Sequence, residues 1–191
     1  SKSPIDYNGH GTHVAGTVAA LNNSYGVVGV APKAKLYTIK ALNKSGEGFI
    51  SDIIEGIEWA IRHNIRVINM SFGMSESSEA LHDAIKRAYK RGIVMVVSSG
   101  NSGASVDHID YPGKYPETIA VAAATRDNKI ADFSSRGAGI DISAPGDDIR
   151  STYLSRKYRE LDGTSMASPH VTGAAALLLS VNPSLTPVDV R

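Results

Sequence analysis

The apolar and polar positions of the chain alternate between a helical period and short runs typical of strands. Three stretches have apolar residues at helical spacing: Gly9–Ala20, Ser51–His63 and Glu79–Arg91. Ser51 and Asp52 are suited to cap the second stretch, and Gly92 follows the third, where a left-handed residue costs least. The pattern therefore predicts three helices, with His10 in the first turn of the first.

Short runs of β-branched and aliphatic residues lie between and after these helices. The predicted strands are Lys35–Leu42, Arg66–Ser71, Ile93–Val97 and Thr118–Ala124, and Asp141–Ser143 leads into the stretch Ala144-Pro145-Gly146. Strands that alternate with helices through short links favour a parallel sheet with helices on both faces. The sequence thus predicts an α/β fold, with functional groups gathered at the carboxyl ends of the strands.

A last helix is predicted where the motif GTSMASPHV, residues 163–171, runs into a small and aliphatic stretch. Pro169 is tolerated in the first turn of a helix, so Ser165 is expected at or beside the N-cap. There its hydroxyl would lie beside unpaired backbone N–H groups, which stabilise negative charge on an attacked carbonyl. A serine that only caps the helix would show the same pattern.

Composition and charge exclude several classes of function. The chain has 191 residues, 42% of them hydrophobic and 20% charged, as expected for one globular domain over residues 1–191. A net charge of +1 gives no electrostatic reason for a nucleic-acid or membrane partner. The absence of cysteine excludes disulfides and a thiol nucleophile but leaves the compartment open. No apolar run approaches the ~20 residues of a membrane span.

Two further motifs carry residue types suited to nucleophilic catalysis. NGHGTHVAGT, residues 8–17, has His10 between glycines, and SSGNSG, residues 98–103, has Asn101 between glycines. A histidine is suited to act as general base, an asparagine amide to stabilise an oxyanion, and Ser165 to act as nucleophile. Taken alone, His10 is equally an exposed helix-start histidine, and Asn101 a residue of a tight turn.

Together the three motifs resemble those of the subtilases, the subtilisin-like serine endopeptidases, in the family order of histidine, asparagine and serine. The resemblance covers nearly the whole chain and implies a three-layer α/β/α fold. It implies an endopeptidase of broad specificity that forms an acyl-enzyme on Ser165, with His10 as base and Asn101 as oxyanion donor. The alternative is a subtilase-fold domain that binds peptides or partners without catalysis.

The chain departs from the family at the aspartate that orients the catalytic histidine. In subtilases this aspartate lies upstream, in a strand followed by Asp-Ser-Gly or Asp-Thr-Gly, and nothing before His10 has that form. Asp6 aligns instead with an acid of the substrate pocket. We therefore expect a fragment that lacks the N-terminal strand or strands and the C-terminal tail, and that is inactive or barely active in isolation.

The resemblance also implies the residues that bind substrate. Two edge segments would bind an extended peptide by strand addition: Gly46, Glu47, Gly48 and Ser71, Phe72, Gly73. Ile50 and Ile53 would line an apolar subsite. Gly100, Ser102 and Asp110 would surround the primary pocket, where the acid would favour a basic side chain.

Structural calcium is the cofactor that the resemblance implies. The carbonyls of Leu21, Tyr25 and Val27 and the side-chain oxygen of Asn23 would be ligands, with the remaining ligands upstream. An ordinary Asn-rich turn is the alternative. A weaker second cation site would use Gly113, Tyr115, Thr118 and Asp141.

The resemblance implies protein or peptide substrates, a monomer, and an extracellular more than a cytoplasmic location. An inhibitory pro-segment remains open at this level.

Overall fold

The computed structural model describes residues 5–104 and 108–191. Its helices are α1 His10–Ala19, α2 Ile50–Arg62, α3 Glu79–Lys90, α4 Thr164–Val181 and α5 Pro187–Val190. Its strands are β1 Val67–Met70, β2 Val94–Ser98, β3 Ile119–Ala124, β4 Ile142–Pro145, β5 Ile149–Tyr153 and β6 Lys157–Leu161. Most bounds lie within two residues of the predicted ones.

Strands β1 to β4 form one parallel sheet in the order β1-β2-β3-β4. All five residues of β2 are buried, because helices cover both faces of this strand. Met95 and Val97 pack with α2 and α3, whereas Val94 and Val96 pack with α4. This confirms the predicted α/β fold with helices on both faces.

The predicted strand Lys35–Leu42 is wrong as a strand. Its residues run without regular hydrogen-bonded structure, and none of them pairs in a sheet of the described residues. A β-strand needs a neighbouring strand to accept and donate its backbone hydrogen bonds. This segment instead borders a wide groove at the place where such a strand would lie. The strand propensity of these residues was therefore not enough to predict that they form a strand.

Two details of the predicted helix starts are also wrong. Helix α2 begins at Ile50 after Phe49, so Ser51 and Asp52 lie inside its first turn instead of capping it. Pro169 is the sixth residue of α4, beyond the first turn, because the helix begins at Thr164. How the missing N–H of Pro169 is compensated bears directly on Ser165, as described below.

The antiparallel hairpin β5-β6 was not predicted, because its strands are largely polar. It packs on α1 through hydrogen bonds to helix carbonyls. Ser151 Oγ donates to the carbonyl of His13 at 2.7 Å, and Thr152 Oγ1 donates to that of Thr12 at 2.9 Å. The hairpin thereby supports the helix that carries His10.

Within residues 5–104 and 108–191, no helix is both long and apolar enough to cross a bilayer.

Candidate active site

His10 is the first residue of α1, and a carboxylate three positions before the N-cap holds this helix start in place. Asp6 accepts hydrogen bonds from the N–H groups of Asn8 at 2.8 Å, Gly9 at 2.9 Å and Thr12 at 2.8 Å. Burial raises the pKa of Asp6, but these bonds outweigh burial and hold it at about 2. Asp6 therefore positions His10, a role its alignment with a pocket acid did not suggest.

We expect Asp6→Ala to lower the free energy of unfolding by about 1 kcal/mol at pH 7, because three N–H groups of the helix start lose their acceptor. The folded pKa is lowered, so the stabilisation is present above the ordinary value of 3.8 and is lost as pH falls through about 2. Urea unfolding at pH 7, 4 and 2 measures this. Asp52→Ala, which removes an exposed acid from the first turn of α2, is the control. An equal loss at every pH would contradict the assignment.

The environment of His10 favours the neutral imidazole that a general base requires. Burial lowers its pKa and nearby His13 lowers it further, while Asp6 acts in the opposite direction. His13 is fully buried, and its Nε2 donates to the carbonyls of Ile149 at 2.8 Å and Arg159 at 3.1 Å. Within the part of the chain that the structure describes, no hydrogen bond joins the His10 ring to a carboxylate.

Ser165 is the second residue of α4, and its surroundings compensate for Pro169. A proline N cannot donate to the carbonyl four residues earlier, which here is that of Ser165. Ser71 Oγ donates to that carbonyl at 2.9 Å, while Ser165 Oγ donates to the carbonyl of Ser71 at 3.3 Å. Ser71 Oγ also accepts from Asn69 Nδ2 at 2.8 Å. The residue after β1 thus holds Ser165 in place, and Pro169 was the sequence signal for this contact.

The amide of Asn101 is oriented by Thr164, a residue that the sequence analysis did not single out. Asn101 Oδ1 accepts from Thr164 N at 3.0 Å and from Thr164 Oγ1 at 3.1 Å. Thr164 Oγ1 in turn accepts from the N–H of Gly100 at 3.2 Å. Because both bonds engage the amide oxygen, Nδ2 is the group of Asn101 that is left to donate to a ligand.

A cleft of about 360 Å³ brings His10, Asn101 and Ser165 together. Its other walls are formed by Asn8, Tyr153, Arg159, Leu161, Asp162 and Met166. The three residues come from the start of α1, the loop after β2 and the start of α4. The residue types predicted as base, oxyanion donor and nucleophile therefore line one cleft.

A larger groove of about 1550 Å³ lies beside β1. The segment 34–43 forms one edge and residues 66–73 form the other. Helix α2 borders one face, and α1 and α4 border the opposite face. Among the residues that the structure describes, β1 pairs only with β2, and its other edge faces the groove. These walls are the surroundings that a buried strand of a parallel sheet requires.

Asp110 lies against Gly100, which was predicted with it for the primary pocket, and against Gly73 of a predicted edge segment. A Cβ on Gly73 or on Gly100 would lie 2.6 Å from Asp110 Oδ2, so only glycine leaves room for the carboxylate. Asp110 Oδ1 pairs with His108 Nε2 at 3.1 Å, and the Asp110 side chain is 22% exposed. Ser102 lies nearby, with its N–H donating to Ser135 Oγ at 3.1 Å.

The predicted edge segments differ in their surroundings. Residues 46–48 are exposed and lie at a turn in which the N–H of Asn43 donates to the carbonyl of Glu47 at 2.7 Å. Phe72 packs partly against the core, beside Gly73. Ile50 is 37% exposed at the start of α2, whereas Ile53 is 7% exposed and belongs to the core between α2 and the sheet.

The loop of residues 21–27, predicted to bind calcium, fits a hard cation only in part. Leu21, Asn23, Tyr25 and Val27 all line the large groove. The carbonyl of Leu21 and Oδ1 of Asn23 accept local N–H bonds at 3.1 and 3.3 Å, and each keeps a second lone pair. Four neutral oxygens are fewer than the six to eight that Ca²⁺ takes. Among the described residues, no group of three or more acidic, histidine or cysteine side chains is arranged so that it could hold a metal ion.

In the predicted second cation site, the carboxylate of Asp141 forms an ion pair with an arginine. Asp141 Oδ1 accepts from Arg191 at 2.6 Å, and its Oδ2 accepts from the N–H of Ala120 at 2.8 Å. The carbonyl of Tyr115 accepts from Thr118, and Gly113 lies beside them in sequence. Since the guanidinium already neutralises Asp141, only the first calcium site is carried forward.

Comparisons with known proteins agree with this geometry. The sequence model of the Peptidase S8 subtilase family matches residues 2–191. Subtilisin DY of Bacillus licheniformis is 55% identical over 188 residues, which are 97% of this chain and 69% of that protein. Subtilisin BL of Lederbergia lenta is 52% identical over 189 residues, 99% of this chain and 70% of that protein. The structure of sphericase matches with a TM-score of 0.92 at 40% identity, over 98% of this chain and 68% of that one.

Proposed function

The chain belongs to the subtilase family, and we propose that it cleaves protein substrates through an acyl-enzyme on Ser165. Its similarity to subtilisins over nearly its whole length makes it a serine endopeptidase of the subtilisin type. The observation that best supports the proposed residues is the cleft shared by His10, Asn101 and Ser165. Fluorophosphonate labelling of Ser165 is the experiment that tests the proposal.

The proposed reaction has two half-reactions. Ser165 Oγ attacks the substrate carbonyl while the His10 imidazole takes the hydroxyl proton. Asn101 Nδ2 and the N–H of Ser165 donate to the oxyanion. The C–N bond then breaks as His10 returns the proton to the leaving amine. In the second half-reaction water attacks the ester carbonyl while His10 takes a proton from it. The ester C–O bond then breaks, His10 returns the proton to Ser165 Oγ, and the carboxylic acid product is released.

The carboxylate that orients His10 is proposed to come from a segment outside residues 1–191. The groove beside β1 supports this, since it has the walls of a strand position and His10 lies on its border. A carboxylate at the end of such a strand would hold the imidazole in the tautomer that accepts the Ser165 proton.

Broad specificity is proposed to follow from recognition of the substrate backbone. Residues 46–48 and 71–73 would pair with an extended peptide on both sides, and backbone hydrogen bonds demand little of the substrate sequence. Side-chain selection would then be concentrated in the pocket at Asp110.

We expect Asp110→Asn to lower the ratio of kcat/KM for peptides with arginine to that for peptides with phenylalanine before the cleaved bond. The carboxylate would lose its attraction for a guanidinium in a partly buried pocket, an effect of about tenfold. Paired fluorogenic peptides measure the ratio. Asp132→Asn, which removes an exposed acid that does not contact Gly73 or Gly100, is the control. An unchanged ratio would remove Asp110 from the specificity site.

Calcium is proposed to bind the loop of residues 21–27 once the groove is filled, because the loop alone supplies too few ligands. For the chain joined to its upstream segment, we expect Ca²⁺ at 100 times its Kd to stabilise the fold by about 2.7 kcal/mol. Asn23→Ala should weaken that gain, and Asn22→Ala, its exposed neighbour, should not. Thermal unfolding with Ca²⁺ and with EDTA measures both. If the two substitutions reduced the stabilisation by Ca²⁺ equally, Asn23 would not be a calcium ligand.

An extracellular location is likewise a proposal, supported by the resemblance and by the proposed calcium loop of residues 21–27, and a monomeric state is a proposal supported by the resemblance. Fractionation of cultures into medium and cells tests the first, and sedimentation equilibrium tests the second.

A further inference from the structure

The cleft carries a guanidinium on the side from which the leaving amine departs. We propose that Arg159 selects substrates with a carboxylate on the leaving-group side of the cleaved bond. The inference rests on the proposed function, because it assigns a specificity to the same cleft. It adds a residue that neither the motifs nor the resemblance singled out.

The position of His10 identifies the leaving-group side. In the proposed reaction His10 delivers a proton to the leaving amine, so the residues after the cleaved bond lie on its side of Ser165. The cleft wall there is formed by Asn8, Tyr153 and Arg159. The pocket residues on the acyl side, such as Asp110, do not line this cleft.

Arg159 is held in place by a chain of contacts that ends at the start of α1. Its guanidinium donates to Tyr153 Oη at 3.2 Å and lies 5.1 Å from the centre of that ring. Tyr153 Oη donates to the carbonyl of Asn8 at 3.0 Å, two residues before His10. Because the tyrosine fixes the guanidinium before substrate arrives, less side-chain entropy is lost on binding.

The guanidinium has donors left for a ligand. It carries five N–H groups in a planar fork, which matches the two oxygens of a carboxylate. Among residues 5–104 and 108–191, no carboxylate forms an ion pair with Arg159. Arg159 is also exposed, so a substrate can reach it.

Asp162 lines the same cleft and would repel an anion placed beside it. Its Oδ1 accepts from the N–H of Asp148 at 2.7 Å, which holds the carboxylate beside the start of β5, whereas Tyr153 lies at the end of that strand. The bound anion is therefore expected at the Tyr153 end, next to Arg159. The ligand is an aspartate or glutamate in the first two positions after the cleaved bond, or the terminal carboxylate of a short leaving group.

The test uses the full-length polypeptide and matched quenched peptides. One set carries glutamate, glutamine or lysine at either of the first two positions after the cleaved bond. A second set ends two residues after that bond as a free carboxylate or an amide, which separates the two sources of negative charge. We expect kcat/KM to favour the carboxylate of at least one matched pair by roughly three- to fivefold, and 0.5 M NaCl to reduce the preference.

Arg159→Ala should abolish this preference. Arg150→Ala is the matched control, because Arg150 lies on the same hairpin over Tyr158 and does not line the cleft. Equal rates for every carboxylate and its neutral match, or equal losses in the two variants, would overturn the inference while leaving the endopeptidase assignment intact.

A binding measurement separates failure of the inference from failure of the proposed function. The glutamate and glutamine peptides and the carboxylate and amide peptides are titrated into the Ser165→Ala polypeptide, with and without Arg159→Ala, and fluorescence anisotropy gives Kd. A tighter Kd for a carboxylate peptide that depends on Arg159 supports the inference even if the wild type cleaves nothing. Equal Kd values within every pair overturn it.

Discussion

Replacing Ser165 with alanine should abolish fluorophosphonate labelling and lower peptide hydrolysis by about 10⁶-fold in the polypeptide that includes the upstream segment. That factor is the one known from subtilisin itself and is not calculated from this structure. The physical reason is that alanine removes the only atom that forms the acyl bond, while the cleft and the oxyanion donors remain. Peptide mapping of the labelled protein and progress curves with a quenched peptide measure the two effects.

The control for this substitution is Ser180→Ala, which removes a serine hydroxyl from the exposed end of the same helix. It should leave labelling and turnover unchanged. A label that persists in Ser165→Ala would identify another nucleophile. If the folded, calcium-loaded wild type takes no label, the non-catalytic peptide-binding alternative gains support.

Joining the chain to the proposed upstream segment that carries the orienting carboxylate should raise its turnover by about 10⁴-fold over residues 1–191 alone. Loss of the orienting carboxylate in a serine protease triad costs about that factor, because the histidine adopts the wrong tautomer. The carboxylate should also raise the pKa of His10, which burial now lowers, since a nearby negative charge favours the imidazolium. Hydrolysis rates and NMR titration of the His10 ring measure the two changes.

A segment whose aspartate is changed to asparagine is the matched control for this experiment. It should fill the groove and stabilise the fold without restoring turnover or raising the pKa of His10. Full activity of residues 1–191 alone would show that the carboxylate is dispensable or is supplied by the chain itself.

The local sequence pattern was sufficient to predict elements whose buried face is set by the spacing of apolar residues within the element. Helix α3 is the clearest case, because Leu81, Ile85 and Ala88 recur on one face between the Ser78 cap and Gly92. Gly92 adopts a φ of 77°, the left-handed conformation that ends a helix cheaply. Strand β2 was equally clear, since an apolar run with no polar face must be covered on both sides.

Local pattern failed where structure depends on a partner distant in sequence. Residues 35–42 have the composition of a strand but border a groove where a neighbour would be needed. The hairpin β5-β6 has little apolar alternation, and it is held by bonds from Ser151 and Thr152 to carbonyls of α1. Neither outcome is visible in a window of ten residues.

The sequence by itself determined the fold class, helices α1 to α4, strands β1 to β3, and the three residue types suited to acyl transfer. These follow from burial periodicity and turn chemistry, which act between neighbours. Only the tertiary structure decided that Thr164 orients Asn101 and that Ser71 bonds the carbonyl released by Pro169. The reason is that these contacts join residues 63 and 94 positions apart, which only the packed sheet and helices bring within hydrogen-bond distance.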